Sequence, residues 1–380
     1  MANLLSYGPD SRPLPLKPLN VVIGPNGSGK SNLIEAFALL QSAPAALAIP
    51  VREGGGIHDW LYKGAEPKPV AEVEAVVDNP EGKMPLRYRF AFTESASRFE
   101  LVDERIENER PCTGKDEPYF YYRYQNGHPV LNVAAGPRTL KREDVSPEQS
   151  ILSQRKDPDQ YPDITYLGQV LGTIRIYREW SFGRNTMPRL PQKTDLPNDF
   201  LDPMGANLAL VLNRLRKAPA ARKRIVEQLN QLYDGIEDFD TGIEGGSAQV
   251  FLHESRGLIP ATRLSDGTLR YLCLLAVLCH PTPPPLVCIE EPELGLHPDV
   301  LPGLAKLLLE TSERCQLVVT THSDILVDAL TQTPDMVVVC ERDGAGTMLK
   351  RLSAEELKPW LEKYRLGELW TRGEIGGTRW

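Results

Sequence analysis

The stretch Gly24-Pro25-Asn26-Gly27-Ser28-Gly29-Lys30-Ser31 follows the pattern Gly-x-x-x-x-Gly-Lys-Ser/Thr and decides the fold class. It stands between an apolar run at residues 19–23 and a segment whose apolar residues recur at helical spacing. A strand, a glycine-rich loop and a helix are therefore predicted in this order. Backbone N–H groups of such a loop surround phosphates, Lys30 reaches the outer phosphates, and Ser31 supplies an oxygen to Mg²⁺. The alternative is a glycine-rich turn that matches the pattern by chance.

Composition favours a soluble globular protein. The chain has 380 residues, of which 41% are hydrophobic, and a net charge of −8. No apolar run approaches the roughly 20 residues of a membrane span, and the N-terminus lacks the pattern of a secretory signal, so we expect a cytoplasmic protein without membrane contact. The six cysteines form no Cys-x-x-Cys pair and are expected to be reduced thiols. The net negative charge argues against a protein whose whole surface is covered by nucleic acid, but it is compatible with a local basic face.

The patterns along the chain predict several domains. Alternating apolar and polar residues, with a turn at Asn126-Gly127, predict an antiparallel β lobe whose later part is helical from Ser146-Pro147. After Leu286 strands and helices alternate, which predicts a parallel sheet. The predicted domains are a nucleotide-binding core at 1–53 and 235–350, a β-rich lobe at 54–177, a loop and helical lobe at 178–234, and a tail at 351–380.

A pair of acids follows one of these predicted strands. The run Leu286 to Ile289 ends in Glu290-Glu291. In open α/β sheets ligands lie at the carboxyl ends of the strands, so one acid can hold Mg²⁺ through water and the other can orient or deprotonate the attacking water. The alternative is a solvated turn that carries two acids.

Two further features extend the predicted site. His322 follows the apolar strand Leu317 to Thr321 and can contact the outermost phosphate, although a lone histidine after a strand is most often structural. Ser265 and Asp266 precede an apolar helix and are typical of its N-cap. Such a helix either packs into the core or presents its N-terminus to the phosphate of a nucleotide held by another subunit.

The four motifs together resemble the ATPase head of the ABC superfamily. They are Gly24 to Asn32, Leu264 to Thr268, Val287 to Pro298 and Val318 to Ser323. The resemblance is to the branch of RecF, SMC and overcoming-lysogenization-defect (OLD) ATPases, and within it to bacterial AAA-type ATPases of the AAA_21 kind. It extends to residues 202–216 and 364–377. It implies an α/β head with a P-loop sheet, an antiparallel β lobe inserted after the P-loop helix, and a helical signature lobe.

The resemblance also implies residue roles. Glu291 would be the catalytic carboxylate and His322 the switch histidine, while Ser31 and Glu290 would hold Mg²⁺. The family usually has Asp at the position of Glu290. No residue is assigned to the Q-loop, since Gln41 is expected at the end of the first helix. The residues implied to bind ATP are Gly24, Asn26, Gly27, Ser28, Gly29, Lys30, Ser31, Asn32, Ser265 and Gly267.

Three functions remain open at this point. The first is a switch ATPase that forms a head-to-tail homodimer around two ATP molecules in DNA repair, recombination or anti-phage defence. The second is a regulatory ATPase that controls a separate effector such as a nuclease, because the stretch after His322 is too short for the nuclease domain of OLD proteins. The third is a transporter subunit, against which the Ser-Asp-Gly-Thr signature and the large insertion argue.

Nucleic-acid contact has weaker support. A run of cations around residues 214–224 can meet DNA phosphates, but most such runs are solvated helix faces. The aromatic residues at 119–124 can stack on bases, although alternating aromatics in a strand more often pack a sheet. The arginine- and tryptophan-containing tail at 364–380 can dock on the head or on a partner.

Overall fold

The computed structural model describes residues 1–64, 69–80, 82, 84–125, 127–133, 136–139, 145–255 and 257–378. Asn126 of the predicted turn, and Arg379 and Trp380 of the tail, lie outside the described residues. The chain divides into two compact units. The first contains residues 1–15, 26–174 and 340–349, and the second contains residues 16–25, 175–339 and 350–380.

Strands and helices are numbered separately in chain order. The strands are β1 (Leu19–Ile23), β2 (Ala71–Val77), β3 (Leu86–Ser95), β4 (Arg98–Asn108), β5 (Phe120–Gln125), β6 (His128–Val133), β7 (Gly136–Thr139), β8 (Arg175–Tyr177), β9 (Gln192–Lys193), β10 (Ile236–Glu244), β11 (Ser247–Glu254), β12 (Gly257–Pro260), β13 (Leu286–Glu290), β14 (Gln316–Thr320), β15 (Val337–Asp343) and β16 (Gly346–Arg351). The helices are α1 (Lys30–Ser42), α2 (Ile49–Glu53), α3 (Ile57–Trp60), α4 (Ile151–Gln154), α5 (Pro162–Gly172), α6 (Leu208–Arg216), α7 (Pro219–Leu232), α8 (Asp266–Leu278), α9 (Leu301–Ser312), α10 (Asp324–Asp328), α11 (Ala354–Leu361) and α12 (Leu366–Thr371).

The first unit contains a six-stranded sheet in the order β2-β3-β4-β5-β6-β7. Every neighbouring pair is antiparallel. Alternation along β3 buries Tyr88, Phe90 and Phe92 on one face, where the rings of Tyr88 and Phe90 lie 5.3 Å apart. The antiparallel β lobe predicted from the alternating pattern is therefore confirmed.

The predicted helix start at Ser146-Pro147 was wrong. Residues 146–149 form a turn, and the carbonyl of Pro147 accepts a hydrogen bond from Leu101 N–H of β4 at 2.7 Å. Helix α4 begins at Ile151 instead, because the Ser150 hydroxyl accepts a hydrogen bond from Leu152 N–H at 3.0 Å and caps it. A proline is compatible with a first helical turn, but here a carbonyl of this segment is hydrogen-bonded to a strand.

The second unit carries most of a six-stranded sheet in the order β16-β15-β1-β14-β13-β8, and both β15 and β16 continue into residues of the first unit. Strand β1, buried at all five residues, is parallel to β14 and to β15. Strand β13 is parallel to β14 and β8. Thr320 stands opposite Val22 of β1 and Glu290 of β13. The carboxyl ends of β1, β13 and β14 therefore lie at the same edge of the sheet. The predicted parallel sheet is confirmed.

Helix α8 lies in the core of the second unit. Its residues from Thr268 to Leu278 are all buried. It contacts α6, α7 and α9, and α6 and α7 also contact β10 of the antiparallel sheet β10-β11-β12. A helix that is apolar on all sides is expected to be surrounded by protein, so its N-terminus is held by well-packed structure. Among the helices of the described ranges, none has the length and apolar character that crossing a bilayer requires.

Candidate nucleotide site

The phosphate loop ends at helix α1 in the first unit. Gly29 is the N-cap, with φ of 110°, and no side chain caps the helix. Two carbonyls of the loop are fixed from elsewhere in the unit: Ser28 O accepts from the Thr347 hydroxyl at 2.7 Å, and Gly29 O accepts from the Tyr7 hydroxyl at 3.1 Å. Lys30 follows directly as the first residue of the helix. The side chains of Thr347 and Tyr7 thus hold the backbone of the loop in place.

Gly29 is required for a second reason besides its left-handed φ. A Cβ atom at this position would lie 2.3 Å from Thr347 Oγ1 and 2.6 Å from Ser6 Oγ. Ser6 also accepts a hydrogen bond from the Asn32 amide at 2.7 Å. Asn32, predicted to bind nucleotide, therefore has a contact that supports the loop. Sequence reasoning missed Ser6, Tyr7 and Thr347, because nothing near the motif indicates partners that distant in the chain.

The loop fits the phosphates of a nucleotide. Gly27 has φ of 80°, and no atom lies within 4 Å of the position that a Cβ would take. The Ser28 hydroxyl is buried and has no hydrogen-bond partner among the described residues. Buried polar groups are usually hydrogen-bonded, so open space beside an unpaired hydroxyl suits a phosphate oxygen.

Single oxygen donors, rather than a cluster of ligands, are the candidates for holding magnesium. The described part of the chain contains no cluster of three or more His, Cys, Asp or Glu residues suited to a metal. Mg²⁺ in nucleotide sites is commonly held by one or two protein oxygens together with phosphates and water. The hydroxyl of Ser31 and the carboxylate of Glu290 are ligands of that kind.

The two predicted catalytic residues lie together in the second unit. Glu291 comes directly after β13 and has φ of 47°, which is uncommon for a residue with a side chain. Its N–H donates to Thr320 O at 3.0 Å. His322 follows β14, and its Nε2 lies 3.4 Å from Glu291 Oε1. The carboxylate and the imidazole are both about one-third exposed, at 31% and 37%, and are accessible to a substrate.

A third acid, Glu293, joins the same two loops. Its Oε1 accepts hydrogen bonds from the Thr321 hydroxyl at 2.8 Å and from His322 N–H at 2.7 Å. Its Oε2 is buried and has no hydrogen-bond partner in the described residues. Glu293 therefore fixes the backbone of His322 opposite Glu291. Sequence reasoning missed it, although it is the third acid of the run Glu-Glu-Pro-Glu.

The signature loop begins helix α8 in the second unit. Ser265 is its N-cap, and the Ser265 hydroxyl accepts from Thr268 N–H at 3.1 Å. Gly267 lies against the loop that follows the acids, since a Cβ there would be 2.6 Å from Gly295 O. Gly267 was predicted to bind nucleotide. Its close packing against Gly295 within the subunit is enough to explain why a glycine stands at this position.

Arg270, one turn into α8, connects the signature helix to the catalytic loop. Its guanidinium donates to Glu291 O at 3.4 Å and lies 5.4 Å from the ring centre of Phe182. Burial lowers the pKa of Arg270, and the nearby carboxylates of Glu293 and Glu291 act in the opposite direction. The arginine stands two positions after the quoted signature motif, and the motif gave no reason to assign it a role.

Gln41 lies near the end of α1, as expected. Its side-chain amide donates to Ile174 O at 2.7 Å, within the first unit. Since a residue of the same unit occupies the amide, the structure gives no ground for assigning Gln41 to a Q-loop.

The cationic run around α6 and α7 is largely neutralised. Five of its six cations lie within ion-pair distance of a carboxylate in the second unit: Arg214 with Asp199, Arg216 with Asp240, Arg222 with Asp238, Lys223 with Glu227 and Arg224 with Glu310. In the aromatic run, Tyr122 and Tyr124 are buried in the β lobe. These two features therefore give little support to a nucleic-acid surface at either place.

A glycine loop after β1, two acids at the end of β13, a histidine after β14 and a serine-capped helix define an ABC-type ATPase head. Two solved structures have this fold at low sequence identity. An SMC head bound to the C-terminal winged-helix domain of ScpA has a TM-score of 0.59 and 15% identity over 93% of this chain and 97% of that chain. A Pyrococcus furiosus SMC head with an extended coiled coil, bound to the C-terminal domain of ScpA, has a TM-score of 0.55 and 13% identity over 95% and 97% of the two chains.

Residues 19–328 match the AAA_21 family, described as an AAA domain, putative AbiEii toxin, Type IV TA system, and the chain belongs to this family. Its curated relatives include the chromosome partition protein Smc of Mycolicibacterium paratuberculosis, 33% identical over 92 residues, and that of Bacillus subtilis, 28% identical over 104 residues. These matches cover 22% and 27% of this chain but only 7% and 8% of the relatives. The protein is therefore a P-loop protein of the AAA_21 family whose fold is that of an SMC head.

Proposed function

We propose that the protein is a switch ATPase in which two copies assemble head to tail around two ATP molecules, each bound with Mg²⁺. The observation that carries this proposal is the Glu291–His322 pair at the sheet edge where β1 leads into the phosphate loop. A carboxylate there can orient water for attack, and an imidazole beside it can contact the phosphate that departs. DNA repair, recombination or anti-phage defence is the proposed setting.

Each predicted residue has a proposed role. Lys30 neutralises charge on the outer phosphates, and the amides of Gly27 and Gly29 with the Ser28 hydroxyl bind phosphate oxygens. Ser31 and Glu290 hold Mg²⁺, which draws electron density from the phosphate oxygens when bound. Gly24, Asn26 and Asn32 shape the loop. Glu291 accepts a proton from the attacking water.

The second copy supplies Ser265 in this proposal. The Ser265 hydroxyl accepts from Thr268 N–H and lies 2.8 Å from the Thr268 hydroxyl, and either hydroxyl can be the donor of that second bond. When Thr268 donates, the Ser265 O–H is available to a phosphate oxygen. Gly267 keeps the first turn of α8 close to Gly295, so the serine is carried by a rigid element. A head-to-tail pair gives each ATP one phosphate loop and one signature loop from different copies.

A regulatory role over a separate effector is the second candidate. It is favoured by the ion pairs that occupy most of the cationic run, since this segment then offers few charges to DNA phosphates. In that role the ATP-dependent closure of two heads would control a partner polypeptide, such as a nuclease. Purification of the protein from its host with and without ATP, followed by identification of bound proteins, tests this candidate; a homodimer without partners in both states contradicts it.

Mixing two inactive variants tests the composite site. Lys30→Ala removes the phosphate-binding lysine, and Ser265→Asp keeps a capping oxygen but sets a negative charge against the phosphate. A mixed dimer of these two contains one intact site, so ATPase activity should return when the variants are combined. Lys30→Ala combined with Glu291→Gln is the matched control, because both changes damage the loop-bearing side and leave no intact site. Recovery in neither mixture contradicts the head-to-tail arrangement.

A further inference from the structure

A buried arginine outside every motif fixes the approach to the signature helix. Arg189 lies between β8 and β9 and is only 7% exposed. Its Nη1 donates to Leu264 O at 2.6 Å and to Ala261 O at 3.2 Å, and its Nη2 donates to Asp266 Oδ1 at 2.6 Å. The guanidinium also donates to Phe182 O, from Nη2 at 3.0 Å and from Nε at 3.3 Å. One side chain thus binds the backbone that precedes Ser265 and the side chain of the residue that follows it.

These acceptors form a continuous segment. Besides Leu264 and Ala261, Thr262 O lies 3.4 Å from Nη1, so the guanidinium contacts the short helical turn that leads into α8. Ser265 stands between two residues that Arg189 binds, Leu264 and Asp266. A planar guanidinium fixes direction as well as distance, which an ammonium group cannot do equally well.

The contact also gives a role to Asp266, the second residue of the Ser-Asp-Gly-Thr signature. Its side chain is 69% exposed, while one carboxylate oxygen binds Arg189. Burial of a guanidinium is costly unless it is paired and hydrogen-bonded. Asp266 provides the opposite charge, and it stands in the first turn of α8, where a negative charge is favourable.

We propose that Arg189 is the positioning residue of the signature loop: it holds Ser265 in the orientation that meets the ATP bound by a second copy. This inference rests on the proposed head-to-tail ATPase. Arg189 makes its contacts within the signature segment and with Phe182, so its loss affects the turnover of a partner's ATP and leaves ATP binding to the subunit's own phosphate loop intact.

The test uses Arg189→Met, Arg189→Lys and Asp266→Asn, with Arg222→Met as the control for loss of an ion-paired arginine elsewhere in the unit. We expect Arg189→Met to lower kcat by about tenfold to a hundredfold, since small misplacement of a catalytic contact has effects of that order. Arg189→Lys should recover part of the loss and Asp266→Asn should lose less than Arg189→Met. Binding of a fluorescent ATP analogue should stay within about twofold of wild type for all of them.

Mixing separates positioning from a general structural role. Arg189→Met combined with Lys30→Ala should regain activity, because one site of the mixed dimer is intact. Arg189→Met combined with Ser265→Asp should not, because both sites then contain a damaged signature. Recovery with Ser265→Asp, an unchanged kcat, or weakened nucleotide binding overturns the assignment.

Misfolding of Arg189→Met and failure of the proposed ATPase function can each be told apart from failure of this inference. If Arg189→Met fails to fold, Arg189→Lys and Asp266→Asn decide: wild-type kcat in both overturns the inference, and reduced kcat at unchanged Tm supports it. Failure of the proposed function is seen separately, as absence of ATPase activity in wild type or as no recovery when Lys30→Ala and Ser265→Asp are combined.

Discussion

The sequence predicts that two helices, α1 and α8, present their N-termini to phosphate, and the two helices begin differently. Helix α1 starts after Gly29, which has no side chain to cap it. Open space lies beside Gly27, and the Ser28 hydroxyl has no hydrogen-bond partner within the described ranges. Helix α8 starts after Ser265, whose hydroxyl already accepts from Thr268 N–H. The first end is suited to binding a phosphate by itself. At the start of α8 the Ser265 side chain already accepts from one backbone N–H of the first turn. Fewer donors are therefore left there for a phosphate.

A third helix end shows what full occupation looks like. At α4 the Ile151 N–H donates to Glu104 Oε2 at 2.9 Å, and the other oxygen of this buried carboxylate accepts from the Tyr88 hydroxyl at 2.9 Å. A carboxyl group of the protein thus accepts the N–H that a bound anion would otherwise accept. The three ends therefore range from open, through self-capped, to filled, and each predicts a different response to substitution.

The open end should give the largest effect. Lys30→Ala removes the charge that meets the phosphates, and we expect ATPase kcat/KM to fall by about 10³-fold, the size seen when one stabilising donor is lost. ATP binding measured by calorimetry should fall with it. Lys306→Ala, an exposed lysine on α9, is the control and should behave as wild type. Wild-type turnover in Lys30→Ala would contradict the role of the phosphate loop in ATP hydrolysis.

The filled end should give a pH-dependent effect on stability. Burial raises the pKa of Glu104 to about 7 from its ordinary value of 4.5, so the folded state favours the protonated acid. The stability from this group is complete below the unfolded-state pKa and is lost as pH rises through 7. The loss amounts to about 3 kcal/mol for a shift of this size.

Glu104→Gln should abolish that dependence. Its free energy of unfolding in urea should change less between pH 5 and pH 8 than that of wild type, by about 3 kcal/mol. Glu100→Gln in the same strand is the control and should keep the wild-type dependence. An identical pH dependence in wild type and Glu104→Gln contradicts the assignment.

The self-capped end should separate stability from activity. Ser265→Ala loses the cap and should destabilise the protein by about 1 kcal/mol, whereas Ser265→Asp keeps a capping oxygen and should be nearly as stable as wild type. Both should lose ATPase activity, since neither presents a hydroxyl to phosphate. Urea denaturation and turnover are the measurements. Full activity in Ser265→Ala shows that the serine is a helix cap alone.

The smallest effect is expected from Thr347, which supports the phosphate loop at the open start of α1. Thr347→Val removes the hydroxyl that donates to Ser28 O, and we expect a loss of about 1 kcal/mol in stability with a rise of a few-fold in KM for ATP. Thr173→Val is the matched control, because that hydroxyl donates to Val170 O within its own turn. An unchanged KM would show that the loop holds its shape without Thr347.

Much of this comparison was visible in the sequence, because local patterns encode local structure. The glycine loop, the acids after β13 and the histidine after β14 were predicted in place, since each follows a short apolar strand. The start of α4 was wrong because Ser146-Pro147 resembles a helix start locally, while a hydrogen bond from Leu101 decides the outcome. Tertiary contacts of this kind leave no periodic signal.

The supporting residues were missed for the same reason. Arg189 binds the signature segment 72 or more positions away, Thr347 binds Ser28, which is 319 positions away, and neither belongs to a motif. Glu293 did lie within a motif, but only the structure shows that it binds His322 N–H. The sequence therefore predicts which groups do the chemistry, and the structure shows which side chains contact those groups.

The mass of Glu291→Gln with ATP and Mg²⁺ tests the central claim most directly. This variant should bind ATP without hydrolysing it, and light scattering should show the 42.4 kDa chain doubling in mass with ATP and returning with ADP. Addition of Ser265→Asp to the same chain should prevent the doubling. A mass that is the same with ATP, with ADP and without nucleotide would contradict the claim that two copies complete each site.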